Sequence, residues 1–99
     1  MAQKPTYLDE LRKHDPEFFE VVSAVVAKTR EAGALDPKTK TLITLALDAA
    51  GSHPEGVVSL AARARALGAK EKEIIETIRL AFLVAGIPGL VAGLAAFRE

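Results

Sequence analysis

Apolar residues recur at intervals of three and four along most of the chain, which is the spacing of an α-helix with one buried face. No stretch alternates apolar and polar residues as a half-buried strand would. Between residues 36 and 86 the pattern predicts three successive helices. Because the turn between the first two is short, they should pack antiparallel. These helices are 37–50, ended by Gly51; 54–67, ended by Gly68; and one that opens near Lys70.

Residues that commonly begin helices precede the predicted segments. Asp36-Pro37 and Asp15-Pro16 each pair an N-cap with a proline in the first turn. Thr6 with Asp9 predicts a capping box for a short helix from Tyr7 to about His14. A second helix should run from there to about Ala32, ended by Gly33 in a left-handed conformation. The sequence therefore predicts an all-α, single-domain bundle of five or six helices over residues 1–99, with its core in 36–97.

The C-terminal stretch from Leu80 to Phe97 contains eighteen residues without a charge, which is near the minimum for a membrane span. Gly86 and Pro88 interrupt it, because proline cannot donate to a continuing helical ladder. The remaining pieces are short, with Leu90–Phe97 predicted as the final helix. This favours an apolar tail buried between subunits over a tail that inserts into a membrane.

Composition limits the possible partners. The chain has 99 residues, of which 49% are hydrophobic and 5% aromatic, so small side chains supply much of the apolar content. A chain this short cannot bury all of that surface alone, which predicts a homo-oligomer. Thirteen basic residues balance thirteen acidic ones, so no nucleic-acid partner is expected. The absence of cysteine excludes disulfides and thiol chemistry and is compatible with a cytoplasmic protein.

His53 is the first candidate for chemistry, as a general base or ligand at a pocket between the two central helices. The alternative is a structural turn in which Ser52 caps the next helix and Glu55 returns the bond, and this alternative explains more of the local sequence. His14 lies at a predicted helix end, where a cation is favoured. Neither histidine has acidic neighbours at metal-ligand spacing, so no metal site is expected.

Three arginines are candidates for binding an anion, because the planar guanidinium makes paired bonds to a carboxylate or phosphate. They are Arg63 and Arg65 on the second central helix and Arg79 on the third. The alternative is a solvated face or intersubunit ion pairs with Glu71, Glu73 or Glu76. No glycine-rich phosphate loop or nucleophile motif is present, so the sequence predicts no cofactor.

Several short pieces, taken in order, resemble the carboxymuconolactone decarboxylase family, which includes the alkylhydroperoxidase D-like proteins. The resemblance covers about two thirds of the chain and implies an all-α fold assembled as a trimer or hexamer. The matching pieces are Leu35-Asp36-Pro37-Lys38-Thr39-Lys40, the apolar run 42–50, Gly68-Ala69 with Glu71 and Glu73-Ile74, and Ala85-Gly86-Ile87-Pro88.

The resemblance also implies where the family's chemistry would lie. The peroxidase-like branch uses a Cys-x-x-Cys pair, a histidine on the same helix and a glutamate on the preceding helix. Counted back from Gly68, these positions hold His53 and Gly56, then Leu60, and Thr41. None retains the required group, and the decarboxylase branch also has a histidine where this chain has Leu60.

Two functional hypotheses follow. In the first, the chain is a noncatalytic oligomeric module that binds a small ligand, with Leu60 and Arg63 as candidate contacts, or serves in assembly. In the second, it is a decarboxylase or isomerase of a lactone-type carboxylate with relocated chemistry. His53 would then be the base, and Arg63 or Arg65 would hold the anion.

Overall fold

Helices form nearly all the regular structure of this protein. The structure, a computed structural model, describes residues 6–98, and that part of the chain contains no strand. This confirms the prediction of an all-α fold with five or six helices. The α-helices are α1 (Tyr7–His14), α2 (Pro16–Thr29), α3 (Pro37–Ala50), α4 (Pro54–Ala66), α5 (Glu71–Ala85) and α6 (Ile87–Gly93), followed by a 3₁₀ helix, Leu94–Phe97.

The chain divides into two compact units, and the first, which ends at Ala32, contains α1 and α2. The Thr6 backbone N–H donates to Asp9 Oδ2 at 2.9 Å, as the capping box requires. Asp15 Oδ1 accepts from the Phe18 N–H at 3.1 Å and begins α2.

Two details of the predicted second helix were wrong. Helix α2 ends at Thr29 and not near Ala32, because the Arg30 N–H turns back to the carbonyls of Val26 and Ala27 and closes the last turn early. Gly33 therefore does not need a left-handed conformation, and its φ angle is not positive.

The second unit contains α3 to the C-terminus. Asp36 Oδ1 accepts from the Thr39 N–H at 2.7 Å and caps α3 as predicted. Lys38 Nζ lies 3.1 Å from a carboxylate oxygen of Glu73, which joins the first turns of α3 and α5. These two helices therefore run in the same direction, and α3 packs against both α4 and α5.

The core of this unit consists largely of small side chains. Alanine lets helix backbones approach closely, because it fills little space between them. The longer side chains among the fully buried residues are Leu45, Ile74 and Val57. The buried core set comprises Leu45 and Ala49 of α3, Val57, Ala61 and Ala64 of α4, Ala69 before α5, Ile74, Ile78 and Ala81 of α5, and Ala95 and Ala96 near the end.

The C-terminal stretch breaks at Gly86, whose φ angle is +71°, as the sequence predicts. The final α-helix begins at Ile87 and not at Leu90, since Pro88 lies in its first turn, where no backbone donor is needed. Part of the tail is buried within its own unit, including Ala92 and Gly93. Within residues 6–98, no helix has both the length and the apolar character needed to cross a membrane.

Arg65 ties the end of the chain to the α4–α5 turn. Its guanidinium makes two bonds of 2.8 Å to the carboxylate of Glu71 and a third of 3.0 Å to the carbonyl of Ala96. The hydrogen bond from Arg65 is the main reason that the pKa of Glu71 lies below its ordinary value of 4.5. An ion pair with Glu71 of another subunit was one alternative for Arg65, and this pair is made within one chain.

We expect Gly93→Ala to lower the free energy of unfolding by about 1–3 kcal/mol, the usual cost of overpacking a core. A Cβ at Gly93 would lie 2.8 Å from Ile78 Cγ2, and Ile78 is buried. Gly33→Ala is the control, since a Cβ there meets nothing within 4 Å. Urea unfolding followed by circular dichroism measures both, and equal stability of the two variants would contradict the packing described here.

Glu71→Gln should lower stability at neutral pH, and the loss should fade in acid. Because the pKa of Glu71 is lower in the folded state, its contribution is fully present above the ordinary value of 4.5 and is lost as pH falls through the lowered pKa. Thermal unfolding at several pH values measures the difference. The same change in an Arg65→Gln background is the control and should have little effect at any pH.

Candidate functional site

The turn between α3 and α4 places His53 beside Asp48. The Ser52 N–H donates to the Ala49 carbonyl at 3.1 Å, and the His53 N–H donates to the Asp48 carbonyl at 2.9 Å. This pair of bonds is a Schellman motif, which requires a left-handed residue between Gly51 and His53. Ser52 is that residue, with a φ angle of +62°.

The predicted capping box at Ser52 was therefore wrong. His53, not Ser52, is the residue that precedes α4, and no side chain caps this helix. The physical reason is that the α3 ending uses Ser52 in the left-handed region, whereas an N-cap has an extended backbone. Serine followed three residues later by glutamate is the sequence pattern of a capping box. Here the end of α3 determines the backbone conformation of Ser52 and prevents that cap.

The His53 ring contacts a carboxylate, which sequence reasoning missed. Nδ1 of His53 lies 3.2 Å from Oδ1 of Asp48. A carboxylate at Nδ1 favours the tautomer that leaves Nε2 able to accept a proton. However, the His53 side chain is 67% exposed, so the pair lies on the surface and not in an enclosed crevice.

Gly56 makes room for the Asp48 carboxylate. A Cβ at Gly56 would overlap Oδ2 of Asp48, so this side chain lies over the first turn of α4. A negative charge is favoured there by the partial positive charge of a helix N-terminus. Asp48 thus has a structural role that does not depend on catalysis.

The other two positions implied by the resemblance hold groups that take part in packing. Thr41 is buried, and its hydroxyl donates to the Pro37 carbonyl at 2.8 Å. Leu60 is half-buried and packs against the core cluster. On α3 and α4 the fully buried side chains are hydrocarbons, namely Leu45, Ala49, Val57, Ala61 and Ala64.

The arginines and His14 have separate environments. The Arg65 guanidinium is already bonded to Glu71 and Ala96, so it is not available for an anion without losing these bonds. The residues Arg63, Arg79 and His14 are exposed. The roles of Leu60 and Arg63 in contacting a ligand stay predictions. In residues 6–98, no three His, Asp or Glu side chains are grouped so that they could hold a metal ion.

A groove between α3 and α5 was not predicted from the sequence. Its volume is about 260 Å³, and the Lys38–Glu73 ion pair lies among the residues that line it. A backbone bond of 2.8 Å from Lys70, followed by the bond from Lys38, keeps the pKa of Glu73 low. The sequence signal that could have predicted this groove was the presence of apolar residues on more than one face of both helices. The remaining lining residues are Thr39, Leu42, Ile43, Ala46, Leu47, Thr77 and Leu80.

Comparisons with known proteins place these features in a family. The family model described as the carboxymuconolactone decarboxylase family matches residues 16–99. The fold is similar to the crystal structure of an apo carboxymuconolactone decarboxylase family protein from Legionella pneumophila, with a TM-score of 0.82 and 32% identity. The match covers 91% of this chain and 80% of that one. None of the curated proteins compared matches the sequence. The chain belongs to the carboxymuconolactone decarboxylase family.

Proposed function

We propose that this chain is a noncatalytic, self-associating module that keeps the family's helical scaffold without the family's reactive groups. The observation that carries the proposal is the apolar surface that the folded chain leaves uncovered. Leu83 is 77% exposed and Val84 is 83% exposed, although both lie on a helix whose other face forms the core. Exposed apolar area of this extent is typical of an interaction surface.

The chemistry of the chain supports the noncatalytic part of the proposal. A thiolate nucleophile requires cysteine, and the sequence contains none. At Leu60 the chain has a hydrocarbon side chain where the resemblance implies a histidine, so no proton can be exchanged there. The threonine at position 41 cannot replace a glutamate in proton transfer near neutral pH.

The proposed module assembles with copies of itself as a trimer or hexamer in the cytoplasm. Small-ligand binding belongs to the same proposal. Leu60 and Arg63 are the predicted contacts for such a ligand. No cofactor enters the proposal.

Sedimentation equilibrium of the purified protein should give a mass well above 10.5 kDa, the mass of one chain, at micromolar concentration. The reason is that a chain of this size leaves much of its apolar surface exposed when it is alone. Added salt should not dissociate the assembly, because apolar contacts are not screened. A single 10.5 kDa species across the concentration series would overturn the proposal.

A second candidate function is catalysis with His53 as the base, and the contact between His53 and Asp48 favours it. A carboxylate that orients one ring nitrogen is a common arrangement around a catalytic histidine. The candidate reaction is decarboxylation or isomerisation of a lactone-type carboxylate, with the exposed Arg63 as the anion-binding group. Against it, the ring is largely in solvent, where a proton-transfer group gains little from its surroundings.

If His53 is the base, His53→Ala should reduce turnover of lactone carboxylates by about 10²-fold or more. His14→Ala is the matched control, because it removes the other histidine, also exposed, and should leave the rate unchanged. Turnover in the wild type that survives His53→Ala would remove His53 from the mechanism. Absence of turnover in the wild type across the screen agrees with the noncatalytic proposal.

A further inference from the structure

One side of the second unit carries an uncovered apolar surface built from neighbouring helices. We name it the α3–α5 face and define it by the residues that follow. They are exposed by between 44% and 83%, and comprise Ile43 and Leu47 of α3 and Leu80, Leu83 and Val84 of α5.

The groove between α3 and α5 shows that the face is continuous. Ile43 and Leu47 line one wall of the groove, and Leu80 lines the other. Val84 follows Leu80 after one helical turn, so it extends the same wall, and Leu83 lies beside it. The face therefore runs from the Lys38–Glu73 pair towards the end of α5.

We propose that the α3–α5 face is the surface on which a second copy of this chain docks, an inference that rests on the self-association proposed above. The first reason is area. With residues of roughly 150–200 Å² each, the exposed fractions leave of the order of 600 Å² uncovered, which is most of the ~800 Å² per partner of a standard interface.

The second reason is charge. From Arg79 the sequence contains no ionisable side chain until Arg98, so the second half of α5 and the start of α6 are uncharged. Docking here desolvates no isolated ion, whereas burial of an unpaired charge is costly. The charges nearest the groove, Lys38 and Glu73, are already paired with each other at 3.1 Å.

The third reason is shape. The groove holds about 260 Å³, less than the roughly 300–1,000 Å³ of most small-molecule pockets. Its walls continue outward onto exposed helix surface and do not close over an enclosed volume. A side chain from another helix fits such a groove. The rest of the α3–α5 face would then pack against the helix that carries this side chain.

The test introduces a lysine into the face at two positions that the isolated chain leaves exposed. Val84→Lys and Leu47→Lys change side chains that are 83% and 67% exposed, so folding of the single chain should be kept. Val25→Lys is the matched control, because Val25 is 59% exposed on α2 and lies outside the face. Sedimentation equilibrium gives the dissociation constant, and circular dichroism gives the helix content.

The expected result is that both face variants keep their helix content and raise the dissociation constant at least tenfold, while Val25→Lys leaves it unchanged. If Leu47→Lys loses helix content, Val84→Lys decides, since it is the more exposed position. If the wild type self-associates and both face variants do so equally well, the α3–α5 face is not the docking surface. The self-association proposal would still stand.

A monomeric wild type would overturn both proposals. In that case, binding of anilinonaphthalene sulfonate, an apolar fluorescent anion, tests whether the groove holds a small molecule. Saturable binding of this dye that is lost in Leu47→Lys would assign the groove to a small apolar molecule. The same binding in wild type and variant would assign the dye to another surface.

Discussion

Close packing of α4 and α5 against α3 through small side chains is the constraint on which the second unit depends. Ala49, Ala61, Ala64 and Ala81 are buried at the contacts, and only a few longer side chains such as Leu45 and Ile74 fill the space between them. Alanine costs no side-chain entropy when buried and favours the helix itself. The result is a thin core that leaves other faces of these helices exposed, as at Leu47 of α3 and Leu83 of α5.

That thin core explains why the surface is so apolar. On α5 the inner face contains Ile74, Ile78 and Ala81, whereas Leu83 and Val84 on other faces have nothing of their own unit to cover them. The C-terminal helices cover a different part of the core, where Gly93 fits against Ile78. The self-association proposed above would cover the α3–α5 face without a larger core.

The same packing bears on the chemistry. A reactive side chain between α3 and α4 would have to be accommodated among buried hydrocarbons, and an ionised group there would need a partner. This chain instead has Leu60 beside the core and Thr41 bonded to its own helix. The polar groups that could take part in proton transfer, His53 and Asp48, lie at the turn, where solvent screens them.

The sequence by itself determined the helices and most of their ends, because helical periodicity, Asp-Pro starts and glycine stops are local properties. It also determined the absence of thiol chemistry, which follows from composition alone. Only the tertiary structure decided the conformation of Ser52, the contact between His53 and Asp48, and the partner of Arg65. The groove between α3 and α5 was likewise decided there. The first three features lie at short turns and join residues at most six positions apart, and they depend on how one helix ends and the next begins. The groove depends on the distance between α3 and α5, which a local sequence pattern does not contain.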